Sequence, residues 1–258
     1  MSVDATIHEL RRNEAEPSEA EIRQELAVCY RIFDHLGWTE LIFNHITAKV
    51  PGPDAHFLIN PYGLHYSEVT ASNLVKIDLD GNIIGDSAWP VNQAGYVIHS
   101  AIHAARPDVH CIMHTHTTTG VAVACLKEGL TQTNFYSAML HDEIAYHDFE
   151  GLTTRPDECD RLVRSLGAKN AMILRNHGLL ACGGSIPEAF NRLWRMQRAC
   201  DVQVMAASMG GSVIAVPEAA ARYSTAMVNA CDPNDSTDER VFAALKRRLD
   251  ARDRSYRD

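Results

Sequence analysis

Short apolar and β-branched runs, each bounded by proline or glycine, recur along this chain between helical stripes, without the regular strand–helix–strand period of a parallel sheet. "FNHITAKVPG" and "AHFLINPYG" read as strands, and "LVKIDLDGNIIGD" alternates apolar and polar residues around an Asp-Gly-Asn turn, the mark of a hairpin. "VHCIMHTHT" reads as a buried strand, the stretch Glu143 to His147 as another, and "AMILRNHGLLACG" as a strand pair. Antiparallel pairing follows from these short connections.

Helical stripes fill the gaps. Ile22, Leu26, Cys29, Ile32, Phe33 and Leu36 recur at helical spacing and Gly37 ends the run. Further helices are expected from Asn92 to Ala105, closed by Arg106-Pro107-Asp108, from Gly120 to Lys127, and from Pro156 to Leu166. A long one should run from Ile186 to a stop at Gly210-Gly211. The simplest account is one α/β domain over residues 19–211, with a loose arm at 1–18 and a linker and tail at 212–258, in which the polar "DPNDSTDER" leads to a short amphipathic tail.

Composition narrows the class of function. Hydrophobic residues at 46% and charged residues at 22% describe an ordinary folded protein. The net charge of -9 and the lack of an uninterrupted basic cluster argue against nucleic acid as a partner. The N-terminus is charged throughout, and no segment holds about 18 uninterrupted apolar residues, so neither export nor membrane insertion is expected. Cys29, Cys111, Cys125, Cys159, Cys182, Cys200 and Cys231 are scattered without a CxxC pair, which fits reduced thiols in the cytoplasm.

Chemistry gathers on histidines. Residues two apart on a strand share a face, so His114 and His116 can aim at one point beyond the sheet. A catalytic metal site usually takes three protein ligands, and His177 in "LRNHGLL", followed by a permissive Gly178, is the best third candidate. Neutral imidazoles suit Zn²⁺ but also Mn²⁺, Fe²⁺ and Co²⁺. Spacing alone leaves open whether the pair binds metal or makes ordinary strand-end hydrogen bonds. His99 and His103, four apart on one helical face, form a rival pair, better read as packing beneath the site. His8, His35, His56, His65 and His110 are expected as surface or hydrogen-bonded residues. No GxGxxG, GxxxxGK[ST] or GxSxG occurs, so neither a nucleotide cofactor nor a serine nucleophile is indicated.

Taken together, "FNHITAKV", "FLINPYGLHYSEVTASNLVKIDLDGN", "HSAIHAARPDVHCIMHTHT", "ILRNHGLLACG" and "RACDVQ" resemble the class II aldolase/adducin family from about residue 20 to about residue 210. The resemblance implies a single three-layer α/β/α domain with a central, mainly antiparallel sheet, assembled as a homotetramer. It implies that His114, His116 and His177 hold a divalent metal, zinc first. Tyr146 resembles the tyrosine that aldolases bring to the site, and His99 is the other acid/base candidate; Asn44, Asn92 and Gln93 are expected to meet a small-molecule substrate.

Two departures bear on the reaction. Gly95 stands where the family's aldolases carry an acid/base glutamate, so Asn92, Gln93, His99 or a metal-bound water would have to substitute. The phosphate-binding stretches also change, to Gln93-Ala94 and Tyr62-Gly63. The expected activity is therefore a metal-dependent C–C lyase acting on an unphosphorylated hydroxy-carbonyl or hydroxy-acid. The alternatives are a decarboxylase of hydroxylated aromatic acids and a non-catalytic, adducin-like oligomeric module; the three histidines argue against the last.

Overall fold

The computed structural model describes residues 17–152, 156–230 and 237–258. Residues 1–16 of the expected arm and the first part of the expected polar linker lie outside these residues.

Helix α1 (Glu19–Leu36) starts where the sequence offers a capping box: the Ser18 hydroxyl accepts from Glu21 N–H, and the Glu21 carboxylate accepts from Ser18 N–H. It ends on Gly37, whose φ of 70° is the left-handed conformation that closes a helix at no steric cost.

Seven strands follow: β1 (His45–Lys49), β2 (Phe57–Ile59), β3 (Val75–Ile77), β4 (Cys111–Thr115), β5 (Ile144–His147), β6 (Ala171–Leu174) and β7 (Gly178–Gly183). They lie side by side in the order β3-β2-β1-β4-β7-β6-β5, and every neighbouring pair is antiparallel except β5 with β6. The mainly antiparallel sheet expected from the short runs is present.

Side chains alternate between the two faces of this sheet, and a different set of helices covers each. Ile112, Met172, Leu180 and Cys182 bury against α2 (Gln93–Ala105) and α5 (Pro156–Leu166) through Ile98, Ile102, Leu162 and Leu166. Cys111, Met113, Ile173, Leu179 and Ala181 face the larger core with α1, α3 (Thr118–Ala124) and α6 (Ile186–Ser208). The short helix α4 (Phe135–Ala138) packs on α6. The result is three layers, helix on sheet on helix.

Two regions differ from the sequence reading. The expected hairpin "LVKIDLDGNIIGD" keeps only β3 and a single bridge between Ile77 and Ile83. The Asp78 carboxylate accepts from Asp80 N–H and from the Asn82 backbone and side-chain amides, so the turn is tied to itself and no full return strand forms. The segment expected as linker and tail carries helices α7 (Glu218–Asn229) and α8 (Thr237–Asp250), and its Phe242 and Tyr256 are buried in the main core. Phe242 packs 5.8 Å from Phe190, ring centre to ring centre, and Tyr256 O accepts from Ala71 N–H.

Tyr30 of α1 joins helix to sheet. Its hydroxyl accepts from the N–H groups of Ile46 and Asn60 at 3.0 and 3.1 Å and donates to Ile46 O, all in the core. Tyr30→Phe keeps the ring and removes the partner of two buried amides, so denaturant titration should show about 2–6 kcal/mol lost, on a cost of about 1–3 kcal/mol per orphaned group. A loss below about 1 kcal/mol would show that these amides find other partners.

Candidate metal centre

Strand β4 brings His114 to the middle of the sheet and releases the chain just before His116. Because β4 pairs with β7 up to Thr115 opposite Leu179, the β6–β7 turn comes to lie against the same strand end. That turn carries His177. Asn176 takes a left-handed φ of 56°, and a Cβ on Gly178 would stand 2.2 Å from Thr115 O, so the approach of the two backbones requires glycine there.

The three imidazoles converge. His114 Nε2 lies 2.7 Å from His116 Nε2 and 3.3 Å from His177 Nε2, and the ring centres stand 4.5 to 4.8 Å apart. His114 Nδ1 is 2.9 Å from Leu179 O, which can only accept, so the proton sits on Nδ1 and the lone pair on Nε2. Burial, with the other two rings beside it, pushes His114 well below the usual histidine range; burial lowers His116 and takes His177 down to about 4. Neutral rings with nitrogens turned toward one another leave a point that a proton or a cation must fill. Among the described residues no Asp, Glu or Cys joins the three, and the donor set suits a divalent transition metal.

Asn44, expected to meet substrate, is 2% exposed and spends both ends on the scaffold. Its amide donates to Trp38 O at 2.8 Å and its carbonyl accepts from His116 N–H at 3.2 Å, which fixes the backbone that carries one of the three rings. Asn92 stands just before α2, half-buried and without a side-chain capping bond, and Gln93 is exposed.

His99 is wholly buried beneath the centre. Its Nδ1 and His103 Nε2 both lie 2.8 Å from the Thr47 hydroxyl, which donates to one ring and accepts from the other. The rival pair is thus a buried hydrogen-bonded support and not a second cluster of ligands. Tyr146 is anchored elsewhere: its oxygen accepts from Leu130 N–H at 3.1 Å and Arg175 covers its ring at 4.2 Å. No hydrogen bond or ring contact joins it to the three histidines.

Two histidines escaped the sequence reading. His45 on β1 pairs directly with His114 across the sheet, and its ring stands 5.3 Å from His114 and 4.4 Å from His99. Burial holds it down at about 3. The signal was its place two residues before Thr47 in a strand, although only the pairing register reveals the neighbour. His147, at the end of β5, bonds Ser165 at 3.0 Å and lines a narrow recess with Phe149, Glu158, Arg175 and His177.

A three-layer α/β fold with a histidine-lined, metal-competent centre defines the class of protein. Residues 24–204 match the class II aldolase and adducin N-terminal domain, and the chain belongs to that family. It is similar to an aldolase II superfamily protein from Pseudomonas syringae, 44% identical with a TM-score of 0.86, covering 96% of this chain and 99% of that one. It is similar also to L-fuculose 1-phosphate aldolase from Glaciozyma antarctica PI12, 29% identical with a TM-score of 0.81, covering 93% of each chain. Alpha-adducin from Rattus norvegicus is 47% identical over 74% of this chain, a match that spans 26% of the adducin.

Proposed function

We propose that this protein is a divalent-metal-dependent lyase that makes or breaks a C–C bond next to a carbonyl in an unphosphorylated hydroxy-carbonyl or hydroxy-acid. The observation that carries this reading is the meeting of three ring nitrogens at one point, with the His114 tautomer already set for coordination. His114, His116 and His177 would hold the metal, zinc first, with manganese, iron and cobalt as alternatives.

A bound cation supplies Lewis-acid polarisation of the substrate oxygens. The chain supplies the rest. Leu179 O fixes His114, Asn44 fixes the backbone of His116, and the His99–Thr47–His103 chain holds the helix against the sheet beneath the centre. Of the two acid/base candidates, His99 adjoins the centre through His45, whereas Tyr146 would first have to give up its bond to Leu130. Asn92 and Gln93, beside the first turn of α2, remain the proposed substrate contacts. The chemistry of the family favours a lyase, and the altered Gln93-Ala94 and Tyr62-Gly63 stretches favour a substrate without phosphate.

The reading extends to a homo-oligomer, a tetramer, in the cytoplasm, with function carried by residues 19–211; no described helix is long and apolar enough to cross a membrane. The likeness to alpha-adducin supports a second reading, a non-catalytic interaction module. A screen of zinc-, manganese-, iron- and cobalt-loaded protein separates the possibilities. Aldehyde release from hydroxy-carbonyls or hydroxy-acids is expected; carbon dioxide release from hydroxybenzoates would mean a decarboxylase, and neither product from metal-loaded protein would favour the interaction module.

A further inference from the structure

Position 95 lies in the first turn of α2 and has no side chain. A Cβ there would stand 3.1 Å from both Cγ and Nδ1 of His45, tighter than ordinary van der Waals contact. His45 occupies that space because β1 carries it opposite His114, and packing against His99 leaves it 5% exposed. Its Nε2 is buried without a hydrogen-bond partner, and its Nδ1 reaches only Phe43 O, at 3.5 Å. A longer side chain from position 95 meets an imidazole that sheet and helix together hold in place.

Among the described residues no carboxylate joins the three histidines as a ligand group, and the exposed Glu40 acts on His116 only as a nearby charge. Glu150, which lines the recess beside His177, is held by Arg161 through two hydrogen bonds, and Asp148 and Glu158 share that recess with Arg175. A divalent cation held by three neutral imidazoles keeps its whole charge. In a buried site that charge attracts an anionic oxygen far more strongly than it does in water.

We propose that His45 and Gly95 form a size-matched pair that closes the centre to a carboxylate from the first turn of α2, so that the cation meets an anionic two-oxygen ligand of the 2-hydroxy- or 2-keto-carboxylate class. This rests on the metal reading above and narrows its substrate from hydroxy-carbonyls and hydroxy-acids to the acids. With Nδ1 turned to Phe43 O, the unpartnered Nε2 of His45 is the nearby acceptor that a ligand hydroxyl can satisfy, as a positioning contact.

The test uses full-length protein loaded with Co²⁺, whose visible absorption reports ligands, titrated with glycolate and with its neutral counterpart hydroxyacetone. Glycolate should bind at least about tenfold more tightly. Gly95→Glu should lower the melting temperature by several degrees through its collision with His45. Adding His45→Ala should restore much of that loss, tighten Co²⁺ by about tenfold or more, and abolish the glycolate response. Equal binding of the two probes, or Gly95→Glu as stable as the parent, would overturn the proposal. A parent protein that takes up no Co²⁺, Zn²⁺ or Mn²⁺ would instead overturn the metal reading, and this proposal with it.

Discussion

His114→Ala should abolish stoichiometric metal binding, with affinity for Zn²⁺ falling by about two orders of magnitude or more, beyond the roughly 10–100-fold expected for loss of an outer hydrogen bond alone. His114 is the hub: its Nε2 is within 3.3 Å of both other ring nitrogens, and it is the ring whose tautomer a backbone carbonyl fixes. The same substitution leaves Leu179 O without this partner in a buried position and opens a cavity between the sheet and α2, so a stability loss of about 2–4 kcal/mol accompanies it. Asn44→Ala should act more mildly. It removes the carbonyl that holds His116 N–H and weakens metal by about 10–100-fold without emptying the site. Elemental analysis of tag-free protein and competition with a chromophoric chelator read both effects. Zinc retained at parent stoichiometry in His114→Ala would remove the three-histidine centre from consideration.

How much of this centre could be read from the sequence depends on whether its geometry is local. His114 and His116 share a face by strand period alone, and His177 was marked by a strand end and the glycine after it. The His45–Gly95 contact joins residues from a strand and a helix, and only the pairing of His45 with His114 exposes it. Asn44 stands in the segment singled out for the family resemblance, but its bonds to Trp38 and His116 are visible only in the fold. Tyr146 is singled out by its resemblance to the tyrosine that aldolases bring to the site, while its partner, Leu130 N–H, belongs to a loop with no periodic signal.

The same limit governs the fold. Strand order could not be derived from runs of apolar residues, because β1 passes over β2 and β3 in sequence to pair with β4, and β7 inserts between β4 and β6. The C-terminal segment read as a tail because its amphipathic stripe is short and highly charged. Phe242 and Tyr256 are the few apolar residues that seat it, and their burial depends on Phe190 and Ala71 far away in the chain.

Acid should unfold the protein through its buried histidines, His45, His99 and His103 among them. Burial keeps His45 and His103 down at about 3, and puts His99 well below its ordinary value, so all three stay neutral in the fold at pH values where the unfolded chain protonates them. Below pH 6.5 the unfolded state binds more protons than the native state. The stability these groups contribute is therefore complete above about pH 6.5 and is lost as pH falls toward about 3. Each histidine contributes a slope of up to about 1.4 kcal/mol per pH unit, and three together remove about 5 kcal/mol between pH 6.5 and 5, much of the stability of a typical domain. Glu25, which burial pushes up to about 7, opposes this trend, and His114, His116 and His177 add to it, so urea titrations at half-unit steps from pH 7.5 to 5 isolate one ring's contribution as the difference between parent and variant. His103→Gln, neutral at every pH, should cut the slope by about 1.4 kcal/mol per unit even though it costs stability at pH 7 through the Thr47 bond. A stability that is flat from pH 7 to 5 would mean that these rings are open to water and protonate in the native state, contrary to their burial against β1 and α2.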